Sequence, residues 1–203
     1  MNRTWNTLFE SELDNEGSIL AHYTGNLVQN WAFVAKIKQY LPTKPLRILE
    51  AGAGTGYLAT YLSSLGHEVG VIDIDTDFIE KVNSFFKTKI SIVRLDIRNN
   101  EINFPKFDLV YNIGVMEHFS DEDIIRISGN FRSMVDIFIF AVPNFKIPFS
   151  YGDERYLSKR HWQKLLKKAG WEIEETFSFN RYRIRNYLSG FICKHINNEK
   201  ISK

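Results

Sequence analysis

Several features that would indicate a secreted, membrane-spanning or zinc-binding protein are missing from this 203-residue sequence. Its one cysteine, Cys193, excludes an intrachain disulfide and leaves no second cysteine for a zinc motif. The longest uninterrupted apolar run, Ile137 to Val142, is far shorter than the roughly 20 residues that span a bilayer. Residues 1–16 lack the apolar stretch of a secretory signal. We therefore expect a cytoplasmic protein that does not enter a membrane.

A large excess of charge is also missing, because 26 Lys and Arg side chains nearly balance 24 Asp and Glu side chains. The formal net charge of +2 does not by itself indicate nucleic acid, although basic residues gather in 155-RYLSKR-160 and 181-RYRIR-185. Such runs are usually solvated surface, so nucleic-acid contact is the less favoured interpretation. The length favours one domain, and a hydrophobic fraction of 44% is typical of a folded globular chain.

Strand-like and helix-like patterns alternate along most of the chain. Apolar residues at positions 27, 28, 31, 34, 37 and 41 predict a leading helix over residues 27–41. Strands are predicted at residues 46–52, 68–73, 90–96, 107–113 and 136–142, with helices after the first, second, fourth and fifth. Asp75 is the predicted N-cap of the second of these helices, and Ser120 with Asp123 forms a capping box before the third.

The end of the chain breaks this alternation. Two strand-like stretches, residues 171–179 and 187–195, follow each other with no helix between them, which favours an antiparallel pair. The rest of the pattern predicts an α/β fold, a doubly wound parallel sheet with helices on both faces. We divide the chain into an N-terminal helical cap (1–45), a main domain (46–196) and a frayed tail (197–203).

Glycines occupy alternate positions in 50-EAGAGTG-56, between a predicted strand and a predicted helix. Glycine lets the backbone turn tightly and approach a ligand that a Cβ would exclude, and the start of the helix offers free N–H groups. In the nicotinamide fingerprint the third glycine falls one position later, where this chain has Tyr57. The spacing therefore disfavours a dinucleotide.

An acidic residue followed by alternating glycines resembles the first motif of the class I S-adenosylmethionine-dependent methyltransferases. The element order is similar to that family over roughly residues 20–195. The resemblance implies a single three-layer domain with a mostly parallel seven-stranded sheet and a reversed final hairpin. It also implies S-adenosylmethionine as the cofactor, with its amino-acid end held by Glu50, Gly52, Gly54 and Gly56.

The ends of the next two strands supply further candidates for cofactor binding. Asp73 can accept hydrogen bonds from both ribose hydroxyls, as the matching acidic residue does in the family, and Asp75 and Asp77 are available for helix capping in its place. Ile74 follows and is expected against the adenine. Asp96 and Ile97 end the third strand, where similar methyltransferases place an acidic residue at the adenine amino group, and an ordinary turn is the alternative.

The fourth strand leads into 107-FDLVYNIGVMEHF-119, which looks like the family segment that enters the active site. Asn112 is expected to reach the cofactor from this strand end. His118 is the candidate base, because histidine accepts protons near neutral pH, with a structural role at the helix entry as the alternative. Glu117-His118 is also similar to the O-methyltransferases of ubiquinone biosynthesis, but Gly114 replaces their further glutamate, so no metal is predicted.

The acceptor is predicted to be a small molecule methylated at oxygen, nitrogen or carbon. The Asp/Asn-Pro-Pro-aromatic signature of many nucleic-acid amino methyltransferases is absent, because Ile113 and Gly114 follow Asn112. Specificity is expected in residues 143–158 and around His22 and Tyr23. The alternatives are an RNA or protein methyltransferase and a non-enzymatic module of the same fold that binds a nucleotide or a partner.

Overall fold

The computed structural model describes residue 10 and residues 15–40, 45–99, 104–144, 153–182 and 185–196. In these residues the α-helices are α1 (Glu16–Gln29), α2 (Trp31–Tyr40), α3 (Tyr57–Ser64), α4 (Asp77–Phe86), α5 (Asp121–Met134) and α6 (Lys159–Lys168). The strands are β1 (Arg47–Ala51), β2 (Glu68–Asp73), β3 (Ile90–Arg94), β4 (Leu109–Ile113), β5 (Ile137–Pro143), β6 (Trp171–Tyr182) and β7 (Arg185–His195). The described helices include none that is both long and apolar enough to cross a bilayer.

All seven described strands form one sheet in the order β3-β2-β1-β4-β5-β7-β6. The first five strands of the chain pair in parallel, while β7 runs antiparallel to both β5 and β6. Parallel neighbours need a crossover connection, which the helices supply here, whereas the hairpin β6–β7 needs none. The predicted mostly parallel sheet with an antiparallel C-terminal pair is confirmed, and both hairpin strands are longer than predicted.

The side chains of β5 alternate between two hydrophobic clusters, one on each face of the sheet. Phe138 and Phe140 pack with Trp162 of α6 and with α5 on one face. Ile139 faces the other side, in the same cluster as Phe33 of α2. Because a strand buried on both faces must be apolar along its whole length, β5 is a continuous hydrophobic run. The three-layer arrangement predicted by the resemblance is confirmed.

The prediction of one leading helix over residues 27–41 was wrong. Helix α1 ends before Asn30, whose side-chain amide donates to the Asn26 carbonyl at 3.0 Å, and α2 then begins at Trp31. The Asn30 backbone N–H also donates to the Asn26 carbonyl at 3.0 Å, so Asn30 caps the C-terminus of α1 with both groups. The break leaves Val28 72% and Trp31 54% exposed, while Phe33 is buried instead.

The predicted helix starts have mixed outcomes. Ser120 is the N-cap of α5 and accepts the Asp123 N–H at 3.1 Å, which confirms the capping box. Asp75 is not the N-cap of α4, because Thr76 takes that position; the Asp75 carboxylate still accepts the Asp77 N–H at 3.1 Å. The division of the chain at residue 45 stays a prediction, and the tail at 197–203 lies outside the described residues.

Candidate functional site

The sheet order changes direction at β1. The chain proceeds from β1 to β2 and β3 on one side and then returns to place β4 on the other side. A crevice forms at the carboxyl ends of strands where the order reverses, and ligands of open α/β sheets bind there. This crevice is a cavity of about 850 Å³. Its size lies within the range of sites for small organic molecules.

Most of the residues predicted to bind the cofactor line this cavity, and so does the predicted base; these are Glu50, Gly52, Gly54, Asp73, Ile74, Asp96, Ile97 and His118. Gly56 and Asn112 are not among the described lining residues. Gly56 is the N-cap of α3, and Asn112 is fully buried within β4, which continues to Ile113.

The backbone at Gly52 and Gly54 adopts conformations that favour glycine, with φ angles of +78° and +56°. A Cβ added to Gly52 would lie 2.7 Å from Cγ2 of Val115. Gly54 directs its N–H to the Asp73 carboxylate at 2.8 Å, which joins the glycine loop to the end of β2. The two glycines therefore let the loop pass close to Val115 and keep the cavity open beside it.

The Asp73 carboxylate already accepts hydrogen bonds from the backbone, which its position in the sequence did not indicate. One carboxylate oxygen accepts the Gly54 N–H at 2.8 Å, and the other accepts the Asp75 N–H at 3.0 Å. Burial raises the pKa of this carboxyl, and the backbone N–H groups around it oppose that rise. Each carboxylate oxygen has a second lone pair, so both can still accept a further hydrogen bond. Ile74, 63% exposed, lies beside it on the cavity wall.

Glu50 is a buried residue of the cavity lining, and its carboxyl group accepts the Ala59 N–H of α3 at 3.1 Å. Burial raises the pKa of Glu50 to about 8, against the lowering effects of Tyr111 and the Ala59 N–H. This contact ties β1 to the first turns of α3 on either side of the glycine loop.

Because the pKa of Glu50 is raised, the free energy of unfolding should depend on pH. The ordinary value is 4.5, so between pH 4.5 and about 8 the folded chain holds a proton that the unfolded chain has lost. Stability from this group therefore falls as the pH rises through that window. Between pH 5 and pH 8.5 we expect the melting temperature of the wild type to fall more than that of Glu50→Gln. The difference between the two drops should be a few degrees, at roughly 2–4 °C per kcal/mol. The exposed Glu122→Gln is the matched control, and equal losses in all three proteins would contradict the assignment.

Asp96 does not present an open carboxylate to the cavity. Its oxygens accept the Arg98 backbone N–H at 2.9 Å and the Arg98 Nε at 3.0 Å. The guanidinium holds the pKa of Asp96 below its usual range. Ile97, by contrast, is a buried apolar residue of the cavity wall. The prediction that Asp96 and Ile97 end the third strand was wrong, because β3 ends at Arg94 and Asp96 follows it by two residues, engaged in an ion pair with Arg98.

A short 3₁₀-helix, Met116–His118, carries two titratable side chains into the cavity after β4. His118 is 13% exposed, and its Nδ1 lies 2.7 Å from Oδ1 of Asp153. Glu117 is 2% exposed, and its Oε2 has no hydrogen-bond partner among the described residues. Burial, with a smaller contribution from the charges of Glu154 and Asp153, raises the pKa of Glu117 to about 8.

Sequence reasoning considered Glu117 only as a metal ligand and did not single out Asp153. The signal available for Glu117 was its position in the short segment that follows β4, four residues after Ile113. Asp153 and Glu154 belong to the predicted specificity segment 143–158, of which residues 145–152 lie outside the described part. His22 and Tyr23 do not line the cavity; the residues of α1 and its cap that do are Asn26, Gln29 and Asn30.

Comparison with known proteins agrees with this geometry. A family described as "Methyltransferase domain" matches residues 48–136, which include the glycine loop and the ends of β2, β3 and β4. Protein-L-isoaspartate O-methyltransferase from Hahella chejuensis is 27% identical over 153 residues. The match covers 73% of this chain and 64% of that relative, so the chain spans less than two thirds of its length.

Solved structures show the same fold at low identity. An S-adenosylmethionine-dependent methyltransferase from Clostridium acetobutylicum superposes with a TM-score of 0.69 at 15% identity, over 90% of this chain and all of the other. The 1,6-didemethyltoxoflavin-N1-methyltransferase from Burkholderia thailandensis, crystallised with its substrate and S-adenosylhomocysteine, also gives 0.69 at 15% identity, over 95% and 87%. The sheet order and the glycine loop define a Rossmann-like α/β fold of the class I type. Residues 48–136 thus match a methyltransferase-domain family, and the chain shares the fold of solved S-adenosylmethionine-dependent methyltransferases.

Proposed function

We propose that this chain transfers the methyl group of S-adenosylmethionine to a small-molecule acceptor. The observation that carries the proposal is that the glycine loop, the buried Glu50, the partly buried Asp73 and the pair Glu117 and His118 all line one cavity. Such a cavity provides both a cofactor cradle and an adjoining space for an acceptor. Its volume of about 850 Å³ suits two small molecules better than a polymer.

The cofactor would lie along the strand ends. Gly52 and Gly54 would face its amino-acid end, Asp73 would accept hydrogen bonds from the ribose hydroxyls, and Ile74 with Ile97 would flank the adenine. Glu50 would support the glycine loop from behind through Ala59. Gly56 and Asn112 would act through the backbone geometry of α3 and β4, because neither lines the cavity.

When bound, S-adenosylmethionine supplies an already activated methyl group. The protein then has to align the acceptor, exclude water and accept a proton where the acceptor loses one. Asp153 at 2.7 Å favours the tautomer of His118 in which Nδ1 carries the hydrogen. Nε2 is then the basic nitrogen, and we assign the proton-accepting role to it.

Cofactor selectivity tests this proposal directly. Tyr57 stands where a dinucleotide site needs its third glycine, and its side chain is buried at the start of α3. We expect calorimetry to show binding of S-adenosylmethionine and S-adenosylhomocysteine and much weaker or no binding of NAD. Tighter binding of NAD than of S-adenosylhomocysteine would overturn the proposal.

A protein acceptor is the second candidate, because the Hahella chejuensis relative is named for methylation of isoaspartate in proteins. Incubation with an isoaspartyl peptide and measurement of S-adenosylhomocysteine release distinguishes the two. An RNA acceptor has less support, because Arg155 of the basic run 155–160 donates to Asp121 at 2.6 Å, and Lys159 to Thr176 at 2.9 Å. The side chains of residues 181–185 lie outside the described set.

A further inference from the structure

The strand order separates the two halves of the cavity. The residues proposed to contact adenosine follow β2 and β3, on one side of β1. Glu117 and His118 follow β4, and the cavity wall continues on that side with Pro143 of β5 and Leu188 of β7. Pro143 and Leu188 are register partners in the sheet. The space beside β4, β5 and β7 is therefore the acceptor half of the cavity.

The described lining of the cavity is strongly acidic. Its acidic side chains are Glu50, Asp73, Asp75, Asp96, Glu117, Asp153 and Glu154, of which Glu50 and Glu117 are mostly protonated at neutral pH because burial raises the pKa of each to about 8. Arg98 is the one arginine or lysine in the described lining, and it is paired with Asp96. A carboxylate or phosphate on the acceptor would therefore enter a region of like charge with no described cation left to receive it.

Glu117 places a buried acidic side chain in the acceptor half. Its side chain is 2% exposed and belongs to the cavity wall, and its Oε2 has no partner in the described part of the chain. A buried carboxyl oxygen without a hydrogen bond is costly in either protonation state, and a donor that arrives with the ligand removes that cost. A cationic N–H donor removes most of it, because it also compensates the charge of the ionised carboxylate.

We infer that the acceptor is an amine whose N–H group is bound by Glu117 in the acceptor half of the cavity. This inference rests on the proposed function. Asp153 and Glu154 add negative charge on the same side. The ammonium form gives one proton to Nε2 of His118, which leaves the nitrogen with a lone pair. That lone pair forms the N–C bond while the S–C bond breaks and its electron pair stays on sulfur. The nitrogen regains the positive charge that sulfur loses, and it again faces Glu117.

The first experiment uses S-adenosylmethionine with a deuterated methyl group. The protein is incubated with this cofactor and a small-molecule extract of the organism that encodes it, and labelled products are separated by charge before mass spectrometry. We expect the label in the fraction that a cation exchanger retains at neutral pH. Label confined to neutral or anionic products overturns the inference and leaves methyl transfer intact. No labelled product, with S-adenosylhomocysteine still bound, contradicts the proposed function and the inference with it.

The second experiment tests Glu117 itself on the labelled amine. Glu117→Gln keeps the shape but cannot ionise opposite a bound ammonium group, so we expect KM for the amine to rise at least tenfold while the affinity for S-adenosylhomocysteine is unchanged. Glu122→Gln, exposed on α5, is the matched control and should change neither quantity.

The cofactor also carries positive charge, so Glu117 could bind the cofactor and not the acceptor. Measuring the affinity of the variant for each form of the cofactor distinguishes these two roles. If Glu117 bound the sulfonium or the amino group of the cofactor, Glu117→Gln would weaken S-adenosylmethionine or both cofactor forms by calorimetry. That result, or an unchanged KM for the amine in a folded variant, would overturn the assignment.

Discussion

Asp73→Ala is expected to weaken the binding of S-adenosylhomocysteine by one to three decades. A buried carboxylate that bridges two ribose hydroxyls contributes on the order of 1.5–3 kcal/mol per charge-assisted hydrogen bond. The same change removes the acceptor for the Gly54 and Asp75 N–H groups, at 2.8 and 3.0 Å. The glycine loop should therefore lose its attachment to β2 as well as its contact with the ligand.

These two effects are separated by a second variant and a control. Asp73→Asn keeps one carbonyl oxygen for Gly54 but offers an NH₂ group in place of the second acceptor, so its affinity should fall between those of the wild type and alanine. Asp136→Ala changes an exposed carboxylate at the start of β5, away from the cavity, and should bind normally. Unchanged affinity in a folded Asp73→Ala protein would restrict Asp73 to holding the loop.

His118→Ala should lower the rate of methyl transfer by about two decades, the usual contribution of a positioned general base. Cofactor affinity should stay nearly constant, because the group acts on the acceptor proton and not on the cofactor. Single-turnover transfer to the identified acceptor, alongside a cofactor titration, measures both quantities.

The pair with Asp153 adds a graded test of the same role. Asp153→Asn keeps a hydrogen-bond acceptor for Nδ1 but removes the negative charge, so it should lower the rate less than His118→Ala. His161→Ala is the matched histidine control, because His161 pairs with Asp121 at 2.8 Å and does not line the cavity. Full activity of His118→Ala would remove His118 from the mechanism and leave alignment as the main source of catalysis.

The predictions from sequence that were wrong concern residues whose local pattern fits both a buried and an exposed position. Positions 28 and 31 fit the helical spacing of a buried face, yet both are exposed, because the break at Asn30 turns Phe33 towards the sheet. Asn112 fits a strand end, yet it lies one residue before the end of β4 and is fully buried. Spacing alone does not say where an element stops by one or two residues.

The sequence by itself determined the order of elements, the glycine loop and the acids at the ends of β2 and β3. These features depend on residues close together in the chain: apolar periodicity, glycine at positive φ and the rule that carboxyl ends of parallel strands share one edge. Only the tertiary structure decided which acids are engaged and which are buried with an oxygen unpartnered. Asp153 meets His118 across 35 residues, and Glu117 is desolvated by several elements packed around it. Burial and long-range pairing are properties of the assembled layers, so no short stretch of sequence contains them.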